Sequence, residues 1–168
     1  MAENIRARDL MRSSFLRLGA GHTLREALSI LLDHQAREEG PRVLIVLSPD
    51  AGFAGMLTTR YMLRALVPDW VREETDFEDT LAFEKRLLDS MEEKLEMRVT
   101  EAMNRDVPTA TPEDRLPRLI ERMQDKRLDC LPVVEHGRVV GVIYLTDVFN
   151  AAARLALAAQ TDDASPGR

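Results

Sequence analysis

The chain carries one pattern twice, and an internal repeat of this size constrains the fold more than any single motif does. Met11-Arg12-Ser13-Ser14-Phe15 leads into Leu24-Arg25-Glu26-Ala27-Leu28-Ser29-Ile30-Leu31, and Met103-Asn104-Arg105-Asp106-Val107 leads into Leu116-Pro117-Arg118-Leu119-Ile120-Glu121-Arg122-Met123. Met11 and Met103, like Leu24 and Leu116, stand 92 positions apart. The apolar positions 24, 27, 28 and 31 recur at 116, 119, 120 and 123, which is the i, i+3, i+4, i+7 stripe of a half-buried helix. Each copy then passes through a short apolar strand, a turn, and a second strand carrying a glycine: Phe53-Ala54-Gly55-Met56-Leu57 and Val139-Val140-Gly141-Val142-Ile143. The expectation is a pseudo-symmetric pair in which each half covers the other's exposed apolar face.

Length and composition bound the rest. At 168 residues the repeats fit one intimate unit, and 45% apolar with 31% charged residues is the balance of a soluble globular protein. No run approaches the ~18 apolar residues that span a bilayer. The opening Met1-Ala2-Glu3-Asn4-Ile5-Arg6 lacks the basic-then-apolar order of a secretory signal, so a cytoplasmic protein without a membrane partner is expected. The single cysteine, Cys130, excludes an internal disulfide framework and, just before Leu131-Pro132-Val133-Val134, reads as a small core hydrophobe. A net charge of −6 argues against a nucleic-acid binder that works by neutralising phosphates.

Local signals place the elements. A short helix is expected over 6–11 and an extended piece over 15–18. Thr23 with Glu26 is a capping-box signal for a helix that should fade near Arg37, before Gly40-Pro41. Val43-Leu44-Ile45-Val46-Leu47 is a buried strand, Ser48-Pro49-Asp50-Ala51-Gly52 a turn, and residues 58–66 a closing helix. In the second copy, Glu135-His136-Gly137-Arg138 is a tight hairpin turn and the closing helix is expected over 145–156. Repeat one thus covers 5–67 and repeat two 98–157. Between them, 68–97 reads as an acidic loop, then a linker helix with Leu81, Leu88, Met91 and Leu95 on one face. That helix is expected as a strut, with a second-subunit contact as the alternative. Residues 158–168 read as a disordered tail.

The repeated order β-α-β-β-α resembles a tandem of cystathionine-β-synthase (CBS) domains, the Bateman module, and the fold class expected is mixed α/β (α+β). The most specific stretch is Leu131-Pro132-Val133-Val134-Glu135-His136-Gly137-Arg138-Val139-Val140-Gly141-Val142-Ile143, followed by Tyr144-Leu145-Thr146-Asp147-Val148-Phe149. The resemblance implies two ligand clefts between stacked repeats, an adenosine-type ligand such as AMP, ADP, ATP or S-adenosylmethionine, and pairing of two modules into a disc-shaped homodimer.

The family's pattern after the glycine is a hydroxyl residue at the fourth position and an acid at the seventh. A carboxylate at a helix start accepts ribose hydroxyls, while a hydroxyl and free helix N–H groups meet phosphate. Counted from Gly141, the seventh residue is the acid Asp147, with Thr146 beside it, but the fourth is Tyr144. Counted from Gly55, the fourth is the hydroxyl Thr58 and the sixth Arg60, while the seventh is Tyr61. The resemblance therefore implies a better site at Asp147, with Thr146 near phosphate and Val107-Pro108-Thr109 flanking the base. Thr58 and Arg60 serve a weaker second site. Asp147 also reads as an ordinary helix cap.

Catalytic signatures are missing from the sequence. Gly19-Ala20-Gly21 lacks the third glycine of a dinucleotide loop, and neither a Walker loop nor a Gly-x-Ser-x-Gly elbow occurs. His22, His34 and His136 have no metal-ligand spacing. The expected function is a regulatory, non-enzymatic module that binds an adenosine-type ligand and signals to a separate, unidentified protein. The alternative is a scaffolding dimer with vestigial clefts.

Overall fold

The computed structural model describes residues 4–35, 43–73 and 81–163. The chain divides into two compact units, Leu16–Asp106 in one and Met1–Phe15 with Val107–Arg168 in the other. Family resemblance and packing thus cut the chain differently. The opening segment of each sequence copy packs in the unit built mainly from the other copy.

In the unit Leu16–Asp106, β1 (Leu16–Gly19), β2 (Val43–Leu47) and β3 (Phe53–Thr58) form a sheet in that order, β1 parallel and β3 antiparallel to β2. The β-branched and apolar run of β2 is buried on both faces, as a central strand should be. Helix α2 (Leu24–Gln35) lays Leu24, Ala27 and Leu31 into the core against Leu44, Val46 and Leu57. Its capping box forms as expected: the Thr23 amide donates to Glu26 at 2.8 Å and the Glu26 amide to the Thr23 hydroxyl at 3.4 Å. Helix α3 (Thr59–Leu66) closes the hairpin, with Thr58 as its N-cap. Where an acidic loop was expected, Trp70–Glu73 form a short helix, α4. Residues 74–80 lie outside the described residues.

The linker helix α5 (Leu81–Lys94) packs against α3, but with a rotated face. Leu81 and Leu88 are exposed, while Phe83, Leu87 and Met91 are half-buried. Aromatic packing fixes the rotation: Phe83 meets Trp70 edge-on at 5.4 Å, and the Arg86 guanidinium lies 4.1 Å over the Trp70 ring. Helix α6 (Val99–Ala102) then delivers Asn104, which exchanges backbone hydrogen bonds of 2.9 Å with Met56 at the free edge of β3.

The other unit repeats this plan. Helix α1 (Ala7–Leu10) delivers Arg12, which exchanges hydrogen bonds of 2.8 and 3.0 Å with Val142. Val142 lies in β5 (Arg138–Tyr144), which is antiparallel to β4 (Cys130–Glu135) through a turn with His136 and Gly137 at positive φ. The strand corresponding to β1 shrinks to one parallel bridge, Ala110 to Val133. Pro108 and Pro112 on either side have no amide to extend it. Helix α7 (Leu116–Asp125) buries Leu116, Leu119 and Met123. Both principal helices have their first amide capped from the exchanged segment: Leu24 by the Met97 carbonyl, Leu116 by that of Ile5. Helix α8 (Leu145–Asp163) runs past the expected end at 156 because its alanine-rich sequence holds no breaker before Pro166. Among the described residues, no helix is long and apolar enough to cross a membrane.

Candidate functional site

The two glycine-bearing strands end at corresponding places, since Gly55 and Gly141 are 86 positions apart, as are Tyr61 and Asp147. At the end of β5 the chain turns directly into α8. Tyr144 is the last strand residue, Leu145 begins the helix and Asp147 is its third residue. The Leu145 amide donates to the Asp129 carbonyl at 2.9 Å. Leu145 and Thr146 are exposed, Asp147 is half-buried and Val148 is buried, so one side of the first turn of the helix faces solvent.

Asp147 does not cap α8. Its carboxylate is gripped side-on by Arg12, Nε to one oxygen at 3.0 Å and Nη2 to the other at 2.9 Å. Arg12 is in place because its backbone extends the sheet at Val142, so a residue 135 positions away meets the helix start. The guanidinium also lies 5.1 Å over the ring of Tyr144, which fills the family's hydroxyl position with a phenol. The Asp147 hydrogen bonds raise the Arg12 pKa above its ordinary value, and burial raises that of Tyr144. Arg12 carried no motif signal by itself. The repeat alignment holds one, because Arg12 stands where the other copy has Asn104, and Asp147 where it has Tyr61.

The remaining candidates are spread out. Val107 is buried in the core, and Pro108 and Thr109 are half-buried. The Thr109 carbonyl accepts from Arg122 at 2.6 Å, and Arg122 is also paired with Asp114 at 2.7 Å. Ala110 runs beside β4 and Arg12 beside β5, so 107–109 and the Arg12–Asp147 pair lie toward opposite edges of that hairpin. In the other unit, the Thr58 hydroxyl accepts the Tyr61 amide at 3.4 Å and Arg60 is exposed on the first turn of α3. Tyr61 borders a cleft of about 290 Å³ with Arg64, Lys94, Glu101 and Met103. A second groove of about 150 Å³ lies between α2 and α3, lined by Leu28, Leu31, Leu32, Met62, Leu63 and Leu66. No cluster of three or more potential metal ligands occurs among the described residues.

Comparison with known proteins identifies the fold and the family. No curated protein sequence matches the chain. Its fold is similar to the cytosolic domain of the Mg2+ channel MgtE in complex with ATP, with TM-score 0.63 and 23% identity over 88% of this chain and 48% of that one. The chain thus spans about half the length of that relative. It is also similar to the CBS domain of a CBS domain containing membrane protein from Sphaerobacter thermophilus, with TM-score 0.68 and 21% identity over 89% of both chains. A third similar structure is the CBS domain pair of protein MJ0100 in complex with 5'-methylthioadenosine and S-adenosyl-L-methionine, with TM-score 0.63 and 18% identity over 90% of this chain and 95% of that one. At these identities the likeness is one of fold. The model of the CBS domain family matches residues 7–68 and 99–154, and the chain belongs to that family.

Proposed function

We propose that this protein is a regulatory module that binds an adenosine-type nucleotide around Asp147 and passes the resulting change to a separate protein. One observation carries the reading: a carboxylate on the first turn of α8, 21% exposed at its side chain, stands next to the exposed Thr146 hydroxyl. That turn offers a ribose acceptor beside phosphate donors. Two proteins of similar fold are described in complex with ATP and with S-adenosyl-L-methionine, which supports the ligand class. The ligand acts by binding one conformation of the module better than another, since only that difference transmits a signal. The module pairs with a second copy through the apolar faces of α3 and α8.

Thermal melts with AMP, ADP, ATP and S-adenosylmethionine test the reading, since a ligand of the folded state raises the melting temperature. Asp147→Ala is expected to weaken the best ligand about ten- to a hundredfold, the loss of a charge-assisted hydrogen bond. Folding should survive, because a half-exposed ion pair contributes at most about 1 kcal/mol. A second reading, a scaffolding dimer, draws on Arg12 already filling the Asp147 carboxylate and on Tyr61 replacing the acid in the other copy. An absence of stabilisation by all four ligands at millimolar concentration would decide for it.

A further inference from the structure

The side-on fork of Arg12 places two N–H donors on the two oxygens of Asp147, 3.0 and 2.9 Å away. A ribose cis-diol makes the same pattern, two parallel donors to the two oxygens of one carboxylate. Arg12 therefore occupies Asp147 as a diol would, and a ribose can adopt that same two-pronged geometry on the carboxylate only by lifting the guanidinium away. The pair is built to let go. The Arg12 side chain is 54% exposed, so water rehydrates the guanidinium as it leaves the carboxylate, and screening lowers the cost of parting a pair held by its fork geometry.

What the displaced guanidinium does next fixes the ligand. Its backbone stays bonded to Val142, so it remains beside the first turn of α8, where Thr146 is exposed. A ligand with only a diol strands a cation that has lost its carboxylate. A ligand that adds a phosphate near the ribose gives the cation a new anionic partner, for which the planar fork of arginine is well suited. The other copy lacks the device, with Asn104 and Tyr61 at the two positions.

We infer that Arg12 is a specificity-determining residue that makes the Asp147 site select phosphorylated ribosides over neutral ones by exchanging its internal carboxylate for the ligand's phosphate. The inference rests on the nucleotide reading above. Calorimetry with adenosine and AMP on the full chain and on Arg12→Ala and Arg12→Lys tests it. The parent should bind AMP well above adenosine. In Arg12→Ala the AMP-to-adenosine affinity ratio should collapse about tenfold or more. AMP should weaken, and adenosine should hold or tighten because the carboxylate is freed. Arg12→Lys should recover part of the ratio, since an ammonium keeps the charge without the fork. Melting temperatures of the variants confirm that the fold survives. A parent that binds both ligands with a ratio unchanged in Arg12→Ala overturns the role of Arg12 and leaves the nucleotide reading standing. A parent that binds neither overturns the role of Arg12, and the nucleotide reading then stands or falls on the melts with ADP, ATP and S-adenosylmethionine.

Discussion

Glycine at 55 and 141 answers to the backbone that crosses beside each strand. A Cβ built on Gly55 would meet Met103 Sδ at 2.5 Å and the Asn104 carbonyl at 3.0 Å. One built on Gly141 would meet the Arg12 carbonyl at 3.0 Å and Met11 Sδ at 3.2 Å. Neither residue has positive φ, so the requirement is room rather than conformation. Gly55→Ala and Gly141→Ala are each expected to lower stability by about 1–3 kcal/mol in urea titrations, the usual range for overpacking. Gly21→Ala, with nothing within 4 Å of its new Cβ, should stay within about 0.5 kcal/mol of the parent. The same crossing that excludes a side chain at Gly141 also brings Arg12 to Asp147, so the packing constraint and the candidate site share one segment.

Helices α3 and α8 present large apolar side chains at matching positions, Leu63 at 58% exposure and Phe149 at 67%, 86 positions apart like the glycines. Leu63 and the exposed Leu32 flank the groove between α2 and α3. An apolar residue at the same helical position in both units fits a covered face better than chance exposure. Under the proposed pairing, light scattering at micromolar concentration should report a dimer for the parent and a monomer for Leu63→Glu combined with Phe149→Glu. A parent that is monomeric at every concentration removes the pairing from the proposal.

At the scale of the whole molecule, the β4–β5 hairpin is expected to contribute a loss of stability at alkaline pH. Cys130 and Tyr144 are register partners there. Burial pushes the Cys130 thiol up to about 12 and raises the Tyr144 phenol as well. The folded state holds protons that the unfolded chain releases from about pH 8.5 for the thiol. Stability is therefore fully present below that pH and falls as pH rises through it, by at most about 1.4 kcal/mol per unit for each group. Urea midpoints should decline between pH 8 and 11, with a shallower slope for Cys130→Ala. An equal slope in that variant would show that the thiol does not contribute.

Much of this protein follows from the sequence alone. The repeat, the apolar stripes of α2 and α7, the Thr23–Glu26 capping box, the His136-Gly137 turn and the buried strands are local or periodic signals. Such signals state which face of an element is buried, and the structure agrees with them. The tertiary structure decided what each face is buried against. It joined the segment through Arg12 to the unit formed largely by residues 107–163, rotated α5 onto Phe83 through the contact with Trp70, and set Arg12 on Asp147. A carboxylate that reads in sequence as a helix cap became one half of an ion pair, because its partner arrives by backbone pairing at a sheet edge. Periodicity within either element carries no record of a hydrogen bond between residues 135 positions apart.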